Sequence, residues 1–258
     1  MPVMEKDGLK VEFHQSGRGP DLLLLHSLLT ELTVFARVLP ALEARHRVTR
    51  INLPGFGASA PVALDTVADH ADHVARVMNA MDLPHGTDVF GNGFGAFVAL
   101  ELAVRHGPRL GRLLVADTLA AFPEPARAPF RGMAEHVRAG GMAAVLDTAI
   151  ARMFPPEFAA ANPGVIEERK RALAAVEPQC FARACLALAE LDLASKVKDI
   201  KNSTLVMCGA LDQTTPPALA RELAAIIPGA RYEEIPGSGH CPMLEQPDAL
   251  ARLMSSHI

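Results

Sequence analysis

The sequence predicts an α/β protein with a mostly parallel central sheet flanked by helices and a helical cap. Three observations predict it. Strand and helix patterns alternate along the first half and again near the end, which implies a parallel sheet wrapped by helices. Asp21–Leu25 (DLLLL) is a short continuous apolar run, the mark of a strand buried on both faces. Gly91-Asn92-Gly93-Phe94-Gly95 is a glycine-rich junction between a strand pattern and a strongly apolar helix pattern.

Taken in order, Leu9–His14 alternates apolar and polar residues as a half-buried strand does. The turn Arg18-Gly19-Pro20 leads into the apolar run, and a helix is expected near Val34–Arg45. Arg47–Asn52 is the next strand, ended by Leu53-Pro54-Gly55-Phe56-Gly57. Thr66–Met81 has helical spacing, with Val67, Val74, Val77, Met78 and Met81 on one side. Thr87–Phe90 is a short strand, Ala96–Arg105 a helix and Arg112–Asp117 a strand. Residues 122–195 then hold helical patterns without strands, opened by the proline-rich FPEPARAPF. They are read as a cap inserted between the core segments 1–121 and 196–258. Strands return at Thr204–Cys208 and Arg231–Ile235, with a helix at Pro217–Ile227 between them and a last helix from Pro247. The cap would lie above the carboxyl edge of the sheet, where open α/β sheets bind ligands.

Composition narrows the function. Half of the 258 residues are hydrophobic, and the charged 21% nearly balance to a net charge of −4. Nucleic-acid binding, which needs a basic face, is not expected. The longest apolar runs fall far short of the roughly 20 residues that span a membrane. The opening MPVMEKDG has no apolar core of a secretory signal. Cys180, Cys185, Cys208 and Cys241 lack C-x-x-C spacing and read as reduced thiols. These features point to a cytoplasmic protein acting on a small molecule.

The chemistry concentrates at three places. The strand–turn–helix context of Gly91–Gly95 is that of the nucleophile elbow G-x-S-x-G, but the central residue is Gly93. Asp212 follows one buried strand and His240, in Gly237-Ser238-Gly239-His240, follows the next. The order turn, acid, histidine is that of an elbow with its acid–histidine pair. Asp212 would hold Nδ1–H of His240 and leave Nε2 as a general base facing the turn. A dinucleotide pattern, Gly91-x-Gly93-x-x-Ala96 with Asp117 about 20 residues on, also fits the letters, though not on the first βαβ unit where it is usual. No cofactor and no metal are expected. His70 and His73 share a helix face without a third ligand cluster and read as a solvated face.

With these motifs in place, the chain resembles the α/β-hydrolase fold family. Leu24-Leu25-His26-Ser27-Leu28 resembles its oxyanion loop, and Leu53-Pro54-Gly55-Phe56-Gly57-Ala58-Ser59 the turn after its fourth strand. Within the family it is most similar to the 3-oxoadipate enol-lactone hydrolases. Gly141-Met142, Arg152-Met153-Phe154, Pro156 and Ala189–Leu193 resemble that group's cap, and Thr214-Thr215-Pro216-Pro217 and Ile227-Pro228-Gly229-Ala230 follow it as well. The resemblance implies an oxyanion hole formed by the N–H groups of Leu28 and Phe94 and a substrate covered by the cap. The chain departs from the pattern at Gly93 for serine, Asn92 for the preceding histidine and Met153 for a cap tryptophan.

The expected function is therefore hydrolase-like action on a small carbonyl compound, a lactone, ester or β-diketone, without a serine nucleophile at the turn. Loss of that side chain would leave room for a water beside His240, which could attack directly; Gly93→Ser would then gain a burst of ester cleavage. A pseudohydrolase that only binds, or a cofactor-free lyase or isomerase, remains open. Ser27 and Cys241 could approach the pocket but lack the elbow's geometry. Ser27, Asn92 and Met153 are candidates to contact substrate, and Arg131 and Arg152 to receive a substrate carboxylate, which suits a guanidinium fork. Met133, Met142, Met153, Phe154 and Phe158 could line an apolar pocket or simply pack helices.

Overall fold

A computed structural model describes all residues 1–258. Its strands are β1 (Val3–Lys6), β2 (Leu9–Gly17), β3 (Asp21–Leu25), β4 (Arg47–Ile51), β5 (Thr87–Asn92), β6 (Leu110–Ala116), β7 (Thr204–Gly209) and β8 (Arg231–Ile235). They form one sheet in the order β1-β2-β4-β3-β5-β6-β7-β8. β3 to β8 pair in parallel, and β1 and β2 add an antiparallel edge. Every residue of β3, β5 and β7 is buried, as helices on both faces of a parallel sheet require.

β1 is an element that the hydrophobic pattern does not reveal. Its side chains are almost all exposed, so pairing with β2 holds it rather than burial. The turn between them is Asp7-Gly8, both with positive φ, the two-residue hairpin chemistry that matches strand twist. The helix expected over 34–45 is a 3₁₀ turn, Leu32–Phe35, and a short helix α1 (Leu39–Glu43). Pro40 lies in the first turn of α1, where no N–H is needed; farther inside a longer helix it would remove a bond and clash.

α2 (Val67–Ala80) begins on a capping box, Thr66 with Asp69. Its His70 and His73 are both buried, not solvated as expected. α2 packs against α3 (Phe94–His106), and the His70 ring meets the Phe94 ring edge-on at 4.9 Å. Burial pushes the two imidazoles down to about 3 and about 4, so they stay neutral at pH 7.

The helical insertion between β6 and β7 comprises α4 (Glu124–Gly140), α5 (Leu146–Met153), α6 (Pro156–Ala161), α7 (Pro163–Ala174) and α8 (Pro178–Ala189). An Ala121–Asp192 bridge closes its base, and α4 packs along α8. The proline-rich stretch belongs to α4: Pro125 sits in the first turn and Pro129 inside the helix. The chain finishes with α9 (Pro217–Ile226), α10 (Pro242–Glu245) and α11 (Pro247–Ser255). No single helix is long and apolar enough to cross a membrane. All four cysteines are free and buried.

Candidate active site

β5 ends at Asn92 and α3 begins at Phe94, so Gly93 alone makes the reversal, with φ 53° and ψ −117°. An L side chain is strained at that φ. Gly93 N–H donates to the Ala116 carbonyl at 3.0 Å, and its own carbonyl accepts from Ala96 N–H at 2.9 Å. A Cβ on Gly95 would overlap the Leu25 carbonyl. The bare backbone there lets the first turn of α3 press against the end of β3.

That contact sets the loop after β3 beside the turn. His26 is fully buried and kept neutral, its pKa lowered to about 4 mainly by burial. Its Nε2 accepts Leu53 N–H at 3.0 Å, so Nδ1 carries the proton and donates to the Ser27 carbonyl at 2.8 Å. The Ser27 carbonyl and the Leu28 N–H belong to one planar trans peptide. Pinning the carbonyl therefore aims the N–H the opposite way. No hydrogen bond engages the Leu28 N–H, and Phe94 N–H, first in α3, has no intrahelical acceptor.

The space beside Gly93 is not the vacancy expected from its missing side chain. A Cβ there would overlap Ser27 Oγ and lie 3.0 Å from Ser27 Cβ and 2.9 Å from His240 Nε2. The hydroxyl of the loop serine occupies the position of the absent side chain.

His240 and Asp212 come together as the chain order predicts. His240 Nδ1 lies 2.8 Å from Asp212 Oδ2, and both residues are buried. Asp212 also accepts from Thr214 N–H at 2.8 Å, Thr215 N–H at 3.1 Å and the Thr215 hydroxyl at 2.5 Å. Burial opposes ionisation of this carboxyl, but the His240 charge and the hydrogen bonds outweigh it and hold its pKa down. Burial likewise opposes charge on His240, and Asp212 overcomes it, so that pKa is raised. Glu245 braces the histidine loop from both sides, accepting Gly239 N–H at 2.6 Å and Cys241 N–H at 2.8 Å. The insertion is fastened to the same loop: His240 N–H donates to the Met153 carbonyl at 3.1 Å, and the Thr214 hydroxyl to the Arg152 carbonyl at 2.9 Å.

Asn92 and Asp117 form a layer behind the pair. Asn92 is fully buried and faces Asp117, with Nδ2 2.6 Å from Oδ2 and 3.3 Å from the His240 carbonyl. It lies behind the turn, outside both cavities at the site. Asp117 also accepts Gly209 N–H at 2.9 Å and adopts φ 55°, unusual for a non-glycine residue. Burial, then the nearby Asp212 charge, pushes its carboxyl well above the ordinary range. An inward-facing Asp117 removes the dinucleotide reading, which needs this acid free to receive a ribose. Asp117, Asp212 and His240 present ligand atoms within 4.8 Å of one another. Asp212 and His240 already bond each other, and both Asp117 oxygens accept from Asn92 and Gly209, so a cation would have to displace these bonds.

Two cavities flank His240. An inner chamber of about 20 Å³ lies over the turn, bounded by Ser27, Leu28, Gly93 and His240 and roofed by Phe97, Phe122, Phe130, Met133, Arg152 and Leu188. An outer cleft of about 760 Å³ is lined by Arg152, Met153, Pro155, Asp212, Thr214 and His240, among others. Arg152 borders both. It lies over the Phe130 ring at 5.2 Å and pairs with no carboxylate. Burial pulls its pKa below the usual guanidinium value, against the opposing attraction of the Asp212 carboxylate.

Arg131 is elsewhere. It is exposed and bridges Glu124 at 3.0 Å and Glu190 at 2.9 Å, so its charge is already satisfied and it borders neither cavity. Of the apolar candidates, Met133 lines the chamber, and Met153 and Phe154 the cleft. Met142 packs in the core, and Phe158 stacks on Phe154 at 5.2 Å. Cys241 is fully buried outside both cavities, its thiol pushed up by burial.

An eight-stranded, mostly parallel sheet with an acid–histidine pair at its carboxyl edge defines a hydrolase-like α/β protein. The chain belongs to the alpha/beta hydrolase family, whose match covers residues 22–253. It is 29% identical to 3-oxoadipate enol-lactonase 2 of Acinetobacter baylyi, over 92% of this chain and 87% of that one. It is 31% identical to polyketide synthase ThaQ of Burkholderia thailandensis over 94% of this chain, but that match spans only 12% of the synthase. Among solved structures, the enol-lactonase from Burkholderia xenovorans LB400 superposes with a TM-score of 0.91 at 26% identity, over 99% of each chain.

Proposed function

We propose that this protein hydrolyses a small carbonyl compound carrying an anionic group, such as an enol-lactone, an ester or a β-diketone, with His240 as general base. One observation carries the reading. Asp212 holds Nδ1 at 2.8 Å while Nε2 lies 2.9 Å from the point a Cβ on Gly93 would occupy. The base therefore faces the place where an elbow presents its reacting group. Residue 93 itself takes no covalent part, because glycine has no side chain to attack with. Asp212 fixes the imidazole tautomer and stabilises the cation formed when Nε2 takes a proton. The free N–H groups of Leu28 and Phe94 receive the negative charge that develops on the carbonyl oxygen. Arg152 binds the substrate's anionic group from the chamber roof. The enol-lactonase relatives support both the reaction class and an acidic substrate.

Kinetics of wild type and His240→Ala on a panel of lactones, p-nitrophenyl esters and 1,3-diketones test this. Turnover of at least one class is expected in wild type and is abolished in the variant. Equal rates for the two would refute it. A second reading, a protein that binds such compounds without converting them, is favoured by the smallness of the inner chamber. It predicts ligand-induced thermal stabilisation without turnover, unchanged in His240→Ala.

A further inference from the structure

We infer that Ser27 is the nucleophile of this site, supplied by the loop after β3 instead of by the turn. The inference rests on the hydrolase reading above and names the group on which His240 acts. Ser27 Oγ and His240 Nε2 both fall within 2.9 Å of one point, the place of the missing residue-93 side chain. Ser27 is buried, yet its hydroxyl makes no hydrogen bond within the protein and faces the inner chamber. Its carbonyl, by contrast, is pinned by His26 Nδ1–H and by Thr30 N–H at 3.2 Å, so the backbone is fixed while the hydroxyl stays available. The residue after an elbow nucleophile supplies an oxyanion donor, and Leu28 N–H stands in that relation to Ser27. A nucleophile–base contact is often long without substrate and tightens when substrate binds.

The steps balance without any further reagent. Nε2 of His240 takes the Oγ–H proton as Oγ bonds to the carbonyl carbon, and the carbonyl π pair moves onto oxygen. Collapse breaks the bond to the leaving oxygen, which takes the proton from Nε2–H and leaves an acyl-Ser27 ester. Water then gives a proton to Nε2 and attacks the ester carbon. The acid departs, and the proton returns to Oγ.

The test treats the full-length protein with p-nitrophenyl acetate and, separately, with a fluorophosphonate probe, followed by intact mass measurement and peptide mapping. A single adduct on the peptide containing Ser27 is expected, absent from Ser27→Ala and restored as a thioester by p-nitrophenyl acetate in Ser27→Cys. The kcat/KM of Ser27→Ala should fall by at least about 10³-fold, since loss of a triad serine elsewhere lowers kcat on the order of 10⁶-fold, with the melting temperature of wild type. Wild-type rates in Ser27→Ala alongside an inactive His240→Ala would overturn Ser27 and leave the hydrolase reading standing. If no substrate turns over, that reading fails, and an adduct on Ser27, or its absence, still decides the nucleophile.

Discussion

The two cavities beside His240 differ in size, lining and what they reach. The outer cleft is large enough for a small substrate, but it approaches His240 from the side of the Asp212 carboxylate. The inner chamber reaches Gly93, Ser27 and the free backbone donors, but its 20 Å³ holds about one water. Binding volume and reactive atoms are therefore separated, and Arg152, which borders both, marks the partition. Side chains of α4, α5 and α8 wall the inner chamber, and the hydrogen bonds from Thr214 and His240 to the carbonyls of Arg152 and Met153 fasten the insertion to the histidine loop.

The largest effect belongs to the side of His240 that both cavities depend on. Asp212→Asn should lower kcat by on the order of 10³–10⁴-fold, since it removes the group that fixes the base's tautomer. A rate near wild type would mean that Nε2 does not act as the base.

Gly93→Ala challenges the inner chamber next. The added Cβ meets Ser27 Oγ and takes a sparsely populated positive-φ conformation, a strain of about 1–3 kcal/mol before any overlap. A fall in melting temperature of several degrees is expected, and Ser27→Gly added to it should return part of the loss. Strictly additive losses would show that the two side chains do not compete for one space. The same overlap obstructs Gly93→Ser: an ester burst from that variant requires Ser27 to be displaced first.

Arg152→Ala sharpens the partition. A charge-assisted bond to a substrate carboxylate contributes about 1.5–3 kcal/mol. KM for carboxylate-bearing lactones should therefore rise about 10–100-fold, with little change for neutral p-nitrophenyl esters. An equal rise for both would assign Arg152 to packing over Phe130. The smallest effect is at Arg131, whose exposed ion pairs lie outside both cavities. Arg131→Ala should leave kcat/KM within about twofold, and a larger loss on acidic substrates would place the carboxylate site there instead.

Much of this was legible in the sequence because it follows from periodicity and turn chemistry. β3 and β8 coincide with their expected spans, and the acid–histidine pair follows from order along the chain. What escaped depends on neighbours distant in sequence. β1 carries no burial signal, and only its Asp7-Gly8 turn could have announced it. His70 and His73 look like surface residues until α2 packs against α3, where His70 meets Phe94. Asp117 follows a buried strand, yet its bond to Gly209 exists only once β6 and β7 pair. Arg131 and Arg152 are equivalent as letters; a pair of glutamates satisfies one and burial isolates the other. Ser27 lacks the elbow's backbone, and nothing along the chain reveals that its hydroxyl fills the place left by Gly93.

The pH dependence of kcat/KM tests the central claim most directly. His240 must be neutral to act, and Asp212 holds its pKa above 6.5. Activity should therefore rise with pH through a single limb centred above 6.5, and that limb should move to lower pH in Asp212→Asn, which lacks the charge that most raises the imidazole's pKa. A wild-type limb at or below 6.5, or a profile that Asp212→Asn leaves in place, would contradict it.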